Sequence, residues 1–229
     1  MGDRSLVGAS IVVAGATGGI GRPIARQLAQ RGARLTLTSR DPQALDGLGI
    51  DAVLVPADLR DSRAGTRIVD AALAANGRLD GVVNAAGIVA FGPLIETDDL
   101  VIEEVFLTNV LGPLWLIRAA LPALTESRGF IANISAVVAE QPLGGMVAYA
   151  ASKAALTAAD RALTRELRSA GITVTDARPP HTETGLADRP LAGTAPRLRR
   201  GLEPEAVARR IIVGIEAGEH EISADAFGS

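Results

Sequence analysis

Residues 10–21 read SIVVAGATGGIG, an apolar, strand-like run followed by a turn that contains four glycines. A helix is predicted directly after the turn, because Pro23 is favourable in a first helical turn and an apolar stripe follows from Ile24 to Ala29. A strand, a glycine turn and a helix in this order present free backbone N–H groups and the positive end of a helix to a phosphate. The segment therefore predicts a nucleotide-binding turn, and a glycine turn without a ligand is the alternative.

Apolar runs and amphipathic stretches alternate along the rest of the chain. Further strands are predicted at 34–39, 52–56, 81–84, 129–135, 172–177 and 221–224, and further helices at 63–75, 98–124 and 205–217 and over a segment that ends at 170. Strands and helices in strict alternation imply parallel strands joined by right-handed crossovers. We therefore expect an α/β fold of the Rossmann type, a doubly wound parallel sheet of about seven strands with helices on both faces.

The length and composition of the chain fit one domain. A chain of 229 residues is long enough for one α/β domain and too short for a dinucleotide domain plus a full substrate domain. Hydrophobic residues make up 48% of the chain and aromatic residues only 3%, so the core must consist mainly of Ala, Val, Leu and Ile. We expect a single dinucleotide-binding domain over residues 1–229.

Charge and N-terminal sequence argue against several kinds of partner. The net charge of −3 disfavours a nucleic-acid surface, and the basic group at Arg197, Arg199 and Arg200 is interpreted as a solvated loop. Residues 1–6 lack the apolar stretch of a signal peptide, and no run of about 18 apolar residues predicts a membrane span. The absence of cysteine from the sequence fits a reducing compartment. We therefore expect a cytoplasmic protein that binds neither nucleic acid nor membrane.

Tyr149, the only tyrosine of the chain, precedes Lys153 by one turn of a predicted helix. A lysine at this spacing lies on the same helix face and brings a positive charge that stabilises a phenolate. Such a phenol can transfer protons at neutral pH, although its ordinary pKa is about 10. By itself the pair is weak evidence, since helices also carry aromatic and lysine residues at this spacing for packing and solvation.

Several further motifs occur in a characteristic order. They are Gly15, Gly19 and Gly21 in the glycine turn, Asp58 after the third strand, the run Asn84-Ala85-Ala86-Gly87, Asn109, and Ser135, fourteen residues before Tyr149. In this order they resemble the motifs of the short-chain dehydrogenase/reductase family over nearly the whole chain. The glycine spacing, Gly-x-x-x-Gly-x-Gly, differs from the Gly-x-Gly-x-x-Gly fingerprint of many other dehydrogenases.

Each polar residue of this set also has an ordinary structural interpretation. Asn109 and Ser135, taken singly, are polar residues that a helix and a strand end tolerate. Asn84 can close a turn, and Asp58 can cap the following helix.

The resemblance implies an NAD(P)-dependent oxidoreductase that transfers hydride between nicotinamide and a carbonyl or alcohol carbon. Tyr149 would act as general acid/base, and Lys153 would favour the phenolate and bind the nicotinamide ribose. Ser135 would hold the reacting oxygen, and Asn109 would hold a water for proton relay. The small-molecule substrate would be a carbonyl compound or an alcohol.

The resemblance also implies a set of cofactor contacts at the carboxyl ends of the strands. The expected cofactor-binding residues are Gly15, Thr17, Gly18, Gly19, Ile20, Gly21, Ser39, Arg40, Asp58, Leu59, Asn84, Ala85, Ala86, Gly87, Tyr149, Lys153, Pro179, Thr182 and Thr184. Ser39 stands where NAD sites commonly have an acidic residue, and Arg40 can bind a 2′-phosphate. We therefore favour NADP(H) over NAD(H), although Asp41 adds an opposing charge and Arg40 can also be read as a solvated loop residue.

The chain departs from the family pattern after the sixth strand. Where the family usually has Pro-Gly, this chain has Pro179-Pro180, and Pro180 restricts φ and removes an N–H group. Residues 185–203 would form a short lid over an open substrate site. The expected walls of a moderately apolar substrate pocket are Ile88, Val89, Phe91, Val137, Leu143 and Met146.

Two other functions are consistent with a glycine turn of this kind. One is a non-catalytic dinucleotide-sensing binding protein on the same fold, with Pro180 disabling the site. The other is a methyltransferase, which leaves the Asn109, Ser135, Tyr149 and Lys153 set unexplained.

The histidines and the long apolar helices bear on metal binding and on assembly. His181 and His220 lack partners at metal-ligand spacing, so we expect no catalytic metal. The long helices before and after the fifth strand are rich in Ala, Leu and Val on more than one face, and in the family such helices commonly pack against a second subunit. A homodimer or homotetramer is therefore expected.

Overall fold

Seven parallel strands form the central sheet of this computed structural model, which describes residues 4–228. The strands are β1 (Ser10–Ala14), β2 (Arg34–Ser39), β3 (Ala52–Pro56), β4 (Gly81–Asn84), β5 (Phe130–Ile134), β6 (Thr173–Ala177) and β7 (Glu221–Ile222). Their order in the sheet is β3-β2-β1-β4-β5-β6-β7, and every neighbouring pair is parallel. The strand order changes direction between β1 and β4, since β2 and β3 lie on one side of β1 and β4 to β7 on the other. Open α/β sheets bind ligands at such a switch point. The predicted Rossmann-type doubly wound sheet is confirmed; the expectation for residues 1–3 lies outside the described residues.

Seven α-helices connect the strands. They are α1 (Gly21–Gln30), α2 (Pro42–Asp46), α3 (Ala64–Asn76), α4 (Asp99–Phe106), α5 (Gly112–Ser127), α6 (Val147–Glu166) and α7 (Pro204–Ala217). The predicted helix at 98–124 is divided by one π-helical turn, Leu107–Leu111, which contains Asn109. The short helix α2 was not predicted, because five residues are too few to show a helical pattern.

Alternating strand side chains bury the two faces of the sheet separately. Val13 and Ala132 belong to the core beneath α1 and α7, whereas Val12 and Ile131 belong to the core beneath α3 and α5. Gly65 allows α3 and α5 to pack closely, since a Cβ atom there would lie only 2.9 Å from the Cα of Leu116. Because helices cover both faces of the sheet, polar groups of the strands are accessible mainly at the strand ends.

The segment Asp99–Ser127 corrects the expectation that no stretch is apolar enough to span a membrane. A window of 18 residues within these 29 helical residues has a mean hydropathy of 1.6, which meets the length and composition of a membrane span. Leu116, Ile117 and Leu124 in this segment are nevertheless buried against the sheet. Core helices commonly have this length and composition, and the segment packs in the core beneath α3 and α5.

Candidate active site

A cavity of about 690 Å³ opens at the carboxyl ends of the strands, between the glycine turn and helix α6. It brings together most of the residues that the sequence assigned to cofactor and catalysis. Those in its wall are Gly15, Thr17, Gly18, Gly19, Ile20, Ser39, Arg40, Asp58, Leu59, Ala85, Ala86, Gly87, Ser135, Tyr149, Lys153, Pro179, Thr182 and Thr184. Gly21, Asn84 and Asn109 lie behind this wall.

The glycine turn is built by close backbone approaches. Gly15 has φ of +74°, and a Cβ atom there would lie 2.5 Å from the backbone nitrogen of Ala86. A Cβ atom on Gly21 would collide with the carbonyl oxygen of Gly15. Helix α1 then begins at Gly21 without a side-chain cap, so the positive end of its dipole is next to the glycine turn and can attract an anion.

Tyr149 and Lys153 lie on α6 and are almost fully buried at the inner end of the cavity. The Lys153 Nζ donates a hydrogen bond of 2.8 Å to the carbonyl oxygen of Ile134 and lies 5.9 Å from the centre of the Tyr149 ring. Ser135 follows β5 directly, and its Oγ lies 3.0 Å from the Oγ1 of Thr157. Serine, phenol and ammonium groups therefore meet in one place although they come from two elements.

Burial controls the charge states of these groups. Burial raises the pKa of Tyr149 to about 12, so the phenol is neutral at pH 7. Burial also lowers the pKa of Lys153 to about 8, against the opposing effects of Asp176 and Asp160. Burial is the cause of this shift of the Tyr149 pKa, and the expectation that Lys153 favours the phenolate stays a prediction.

Asn109 occupies the π-helical turn with its side chain fully engaged. Its Oδ1 accepts a 2.9 Å hydrogen bond from the Ile88 N–H, while its Nδ2 donates to the Ile88 carbonyl at 2.9 Å and to the Ser152 Oγ at 3.0 Å. The amide therefore fastens the loop after β4 to helix α6. Asn109 lies behind Gly87 of the cavity wall, and its expected role in holding a water stays a prediction.

Asn84 also differs from its sequence expectation. It is 1% exposed, and its Nδ2 donates a 2.6 Å hydrogen bond to the Oδ1 of Asn133 on the neighbouring strand. The side chain neither closes a turn nor lines the cavity. The backbone of Ala85, Ala86 and Gly87 forms the wall instead.

Asp58 lies at the edge of the cavity in an ion cluster. Helix α3 begins at Ala64, with Arg63 at its N-cap, so Asp58 does not cap it. Arg60 binds the Asp58 carboxylate at 2.6 Å and also binds Glu104. The hydrogen bond from Arg60 is the main cause that lowers the pKa of Asp58, which is therefore ionised.

The cavity wall at the end of β2 carries both arginines and acids. Ser39, Arg40 and Arg22 all line this part of the cavity. Asp41 lines it too, but its Oδ1 caps helix α2 by accepting hydrogen bonds of 2.9 and 3.1 Å from the first turn of that helix. The acidic neighbour of Arg40 is therefore already engaged.

Two buried threonines on the cavity wall were not recognised in the sequence. The hydroxyl oxygens of Thr38 and Thr108 have no hydrogen-bond partner among residues 4–228. A buried unpaired hydroxyl is unfavourable unless a ligand or water satisfies it. Threonine is common on strands and helices, so sequence pattern alone gives no signal for either position.

The remaining end of the cavity is apolar. Its wall contains all of the expected substrate-pocket residues, Ile88, Val89, Phe91, Val137, Leu143 and Met146. Leu186, Ala187 and Leu198 from the segment 185–203 cover this end. Backbone hydrogen bonds of 2.8 Å from Leu191 to Val89 and 2.9 Å from Phe91 to Ala192 hold the segment in place.

Pro180 does not displace the neighbouring expected cofactor-binding residues from the cavity wall. The Val137 N–H donates to the carbonyl of Pro179 at 3.1 Å, and the Thr182 Oγ1 donates to the carbonyl of Pro180 at 2.9 Å. Thr184 packs against the glycine turn, close to Gly19. Pro180 therefore replaces the glycine of the family pattern while Thr182 and Thr184 stay in the cavity wall.

The two histidines lie in different parts of the molecule. His181 lines the main cavity and lies 3.6 Å from Glu183, whereas the His220 ring lies 3.0 Å from the carbonyl of Val174. Across residues 4–228, no three His, Asp or Glu side chains are grouped in a way that could hold a metal ion.

Known proteins are similar to this chain in sequence and fold. Residues 9–192 match the family model for short chain dehydrogenases. An uncharacterized oxidoreductase from Staphylococcus saprophyticus is 31% identical over 221 residues, which cover 91% of this chain and 92% of the relative.

Two solved structures give the same result. A short-chain dehydrogenase from Streptomyces avermitilis has a TM-score of 0.86 and 28% identity, covering 95% of this chain and 90% of that one. A dehydrogenase/reductase from Sinorhizobium meliloti has a TM-score of 0.83 and 29% identity, covering 98% of both chains. Fold, cavity and relatives define an oxidoreductase with a Rossmann-type sheet. The chain belongs to the short-chain dehydrogenase/reductase family.

Proposed function

We propose that this protein is an NADP(H)-dependent oxidoreductase that transfers hydride between nicotinamide and a carbonyl or alcohol carbon. The observation that carries the proposal is the meeting of Ser135, Tyr149 and Lys153 in one cavity with a glycine turn at its other end. The family implies a nicotinamide dinucleotide as cofactor. The glycine cradle and the unpaired hydroxyls of Thr38 and Thr108 fit such a ligand.

The side chains would divide the proton chemistry among them. The cofactor supplies the hydride chemistry when it is bound. Tyr149, neutral at pH 7 because of burial, would donate a proton to the substrate oxygen in reduction and receive it in oxidation. The Ser135 hydroxyl would hold that oxygen and stabilise its developing charge. Lys153 would bind the nicotinamide ribose through its buried ammonium group.

The preference for NADP(H) over NAD(H) is supported by the charges at the end of β2. Arg40 and Arg22 line the cavity there, and Ser39 leaves room for a phosphate where an acid would repel it. The Asp41 carboxylate is occupied as the cap of α2, and that of Asp58 is occupied by Arg60. Both acids are therefore partly compensated before a phosphate binds.

We further propose a single dinucleotide-binding domain over 1–229 in which residues 185–203 act as a substrate lid. The apolar wall from Val89 to Met146 favours a moderately apolar carbonyl or alcohol. Exposed apolar side chains on the helices beside β5, among them Leu100, Leu111 and Val147, support a homodimer or homotetramer. The cysteine-free sequence and the relatives of this fold support a cytoplasmic location.

The experiment is a panel of carbonyls and alcohols assayed with both nicotinamide cofactors, with Tyr149→Phe as the paired variant. The proposal predicts turnover by the wild type on at least one member and its loss in the variant, with cofactor binding retained. Tight dinucleotide binding with no turnover on a broad panel would instead favour a dinucleotide-sensing protein. Binding of S-adenosylmethionine in place of a dinucleotide would indicate a methyltransferase.

A further inference from the structure

The arginines of the main cavity differ from many others in the molecule because they have no acidic partner. Three arginines line this cavity: Arg22 on α1, Arg40 after β2, and Arg189 in the segment 185–203. Among residues 4–228, none of the three forms an ion pair. Eight arginines outside the wall do, Arg60 and Arg178 among them. Guanidinium groups without acidic partners around a cavity favour an anionic ligand.

Arg189 belongs to a different part of the wall from Arg22 and Arg40. Those two arginines lie at the end of β2, where the 2′-phosphate is proposed to bind, and Arg189 has no role there. The Arg189 Nε donates a 3.1 Å hydrogen bond to the carbonyl oxygen of Gly185, and its Nη2 donates to that of Thr184 at 3.5 Å. The guanidinium is therefore folded back toward the first residues of its own segment.

Thr184 connects Arg189 to the glycine turn. A Cβ atom on Gly19 would lie 2.7 Å from the carbonyl oxygen of Thr184, which is the oxygen that accepts the hydrogen bond from Arg189. Gly19 and the guanidinium thus approach the same carbonyl group. The positive charge of Arg189 lies next to the turn that is expected to hold the phosphates of a dinucleotide.

Most of the hydrogen-bonding capacity of Arg189 is unused. An arginine has five N–H donors, and those of the Arg189 guanidinium make only the two hydrogen bonds to Gly185 and Thr184 among residues 4–228. Both acceptors are neutral carbonyl groups, and the neighbouring acid, Asp188, is exposed and outside the cavity wall. A planar fork with free donors and an uncompensated charge is suited to the oxygens of a phosphate.

The segment that carries Arg189 also covers the substrate end of the cavity. Leu186 and Ala187, just before Arg189, line the apolar end. Just after it, the Leu191 N–H donates to the carbonyl of Val89 at 2.8 Å. A ligand that binds Arg189 would therefore hold the same segment that encloses the substrate.

We propose that Arg189 binds the pyrophosphate of a dinucleotide on the glycine turn and thereby fastens the segment 185–203 over the substrate site. This inference rests on the proposed function, because it needs a dinucleotide in the main cavity. Arg40 would then bind the 2′-phosphate, which only NADP(H) carries, whereas Arg189 binds a group that NADP(H) and NAD(H) share. An anionic substrate is the alternative partner, but the shared contact with Thr184 puts Arg189 at the glycine turn.

The first test compares dissociation constants from calorimetric titration of the full chain. Arg189→Gln should weaken the binding of NADPH and NADH by the same factor, about tenfold, and the loss should shrink at high salt. Arg189→Lys keeps the charge and should retain part of the affinity. Arg199→Gln is the matched control, because Arg199 lies in the same segment, is exposed and does not line the cavity. Melting curves establish that each variant is folded.

Parts of the cofactor separate direct binding from a disturbed fold. ADP-ribose contains the pyrophosphate and lacks the 2′-phosphate, whereas adenosine 2′-phosphate contains only the latter. In competition against NADPH, Arg189→Gln should weaken ADP-ribose and leave adenosine 2′-phosphate unchanged, and Arg40→Ala should do the reverse. Equal affinity of the wild type and Arg189→Gln for ADP-ribose would overturn the proposal. An effect confined to the KM of anionic substrates would overturn it as well.

Limited trypsin digestion reports on the segment itself. Arg197 is exposed and offers a cleavage site that all the variants keep, whereas Pro190 blocks cleavage after Arg189. Saturating NADPH should slow cleavage after Arg197 by about threefold or more in the wild type and in Arg199→Gln, and less in Arg189→Gln. Equal protection of the wild type and Arg189→Gln at equal cofactor occupancy would show that Arg189 does not fasten the segment.

The outcomes separate this inference from the proposed function. A wild type that binds no dinucleotide would contradict the proposed function and this inference with it. Dinucleotide binding that is insensitive to Arg189→Gln would contradict only the role of Arg189.

Discussion

Thr184 packs directly against Gly19, so that a Cβ atom on residue 19 would collide with the threonine side chain. The segment that follows β6 therefore closes onto the turn that follows β1. Two parts of the chain that are 165 residues apart in the sequence form one wall of the cavity. Since the proposed dinucleotide would lie along this wall, the contact offers a direct way to test binding.

Gly19→Ala should weaken dinucleotide binding by about tenfold or more, because the new methyl group must displace Thr184 from the glycine turn. Calorimetric titration with NADPH measures the dissociation constant. Gly228→Ala is the control, since a Cβ atom there would meet nothing within 4 Å. Unchanged affinity in the folded Gly19→Ala protein would argue against this wall as the dinucleotide site.

Arg40→Ala should reduce the affinity for NADPH selectively, because only NADPH carries the 2′-phosphate that the guanidinium can bind. The affinity for NADH should change little. Arg26→Ala removes an exposed arginine of α1 outside the cavity and should leave both affinities unchanged. Tighter binding of NADH than NADPH by the wild type, or an equal loss of both in Arg40→Ala, would contradict the proposed NADP(H) preference.

Asn109→Ala should lower the free energy of unfolding by about 1–3 kcal/mol, because it leaves both backbone groups of Ile88 without their amide partner. Urea denaturation measures the change. Asn76→Ala, which removes a single side-chain hydrogen bond to Ser10, should cost less. Equal stability of Asn109→Ala and the wild type would show that the amide does not fasten this loop.

Asp160 should make the protein less stable as the pH rises from mildly acidic to mildly alkaline values. Its pKa is raised from 3.8 when unfolded to about 8 when folded, so the folded state binds the extra proton and loses this advantage as the pH passes through about 8. The contribution to the slope is at most about 1.4 kcal/mol per pH unit. Asp160→Asn should flatten the dependence measured by urea denaturation at several pH values. An identical pH dependence in the variant would mean that Asp160 titrates normally.

The sequence pattern was sufficient to predict the sheet, and the resemblance to the short-chain dehydrogenase/reductase family added the grouping of Ser135, Tyr149 and Lys153. Alternating apolar strands and amphipathic helices leave little choice of topology, and parallel strands bring their carboxyl ends to one edge. Ser135 ends β5, and Tyr149 and Lys153 share a face of the helix that follows. These relationships are local, so a pattern in the sequence can carry them.

Features that depend on packing between distant segments were missed. The π-helical turn directs the Asn109 amide toward Ile88 and Ser152, and the register of β4 with β5 places Asn84 against Asn133. Burial raises the pKa of Tyr149, and the spacing to Lys153 gives no indication of that burial. None of these outcomes has a signal in residue spacing, because each is set by the side chains that surround the group.

Hydride transfer by Tyr149→Phe tests the central claim most directly. The substitution removes only the phenol oxygen of Tyr149 and keeps its buried ring. With the best substrate of the panel and saturating NADPH, turnover should fall by about 10²–10⁴-fold, while the melting temperature and the dissociation constant of NADPH stay close to those of the wild type. Turnover close to the wild-type rate in the folded, cofactor-binding variant would contradict the role assigned to Tyr149.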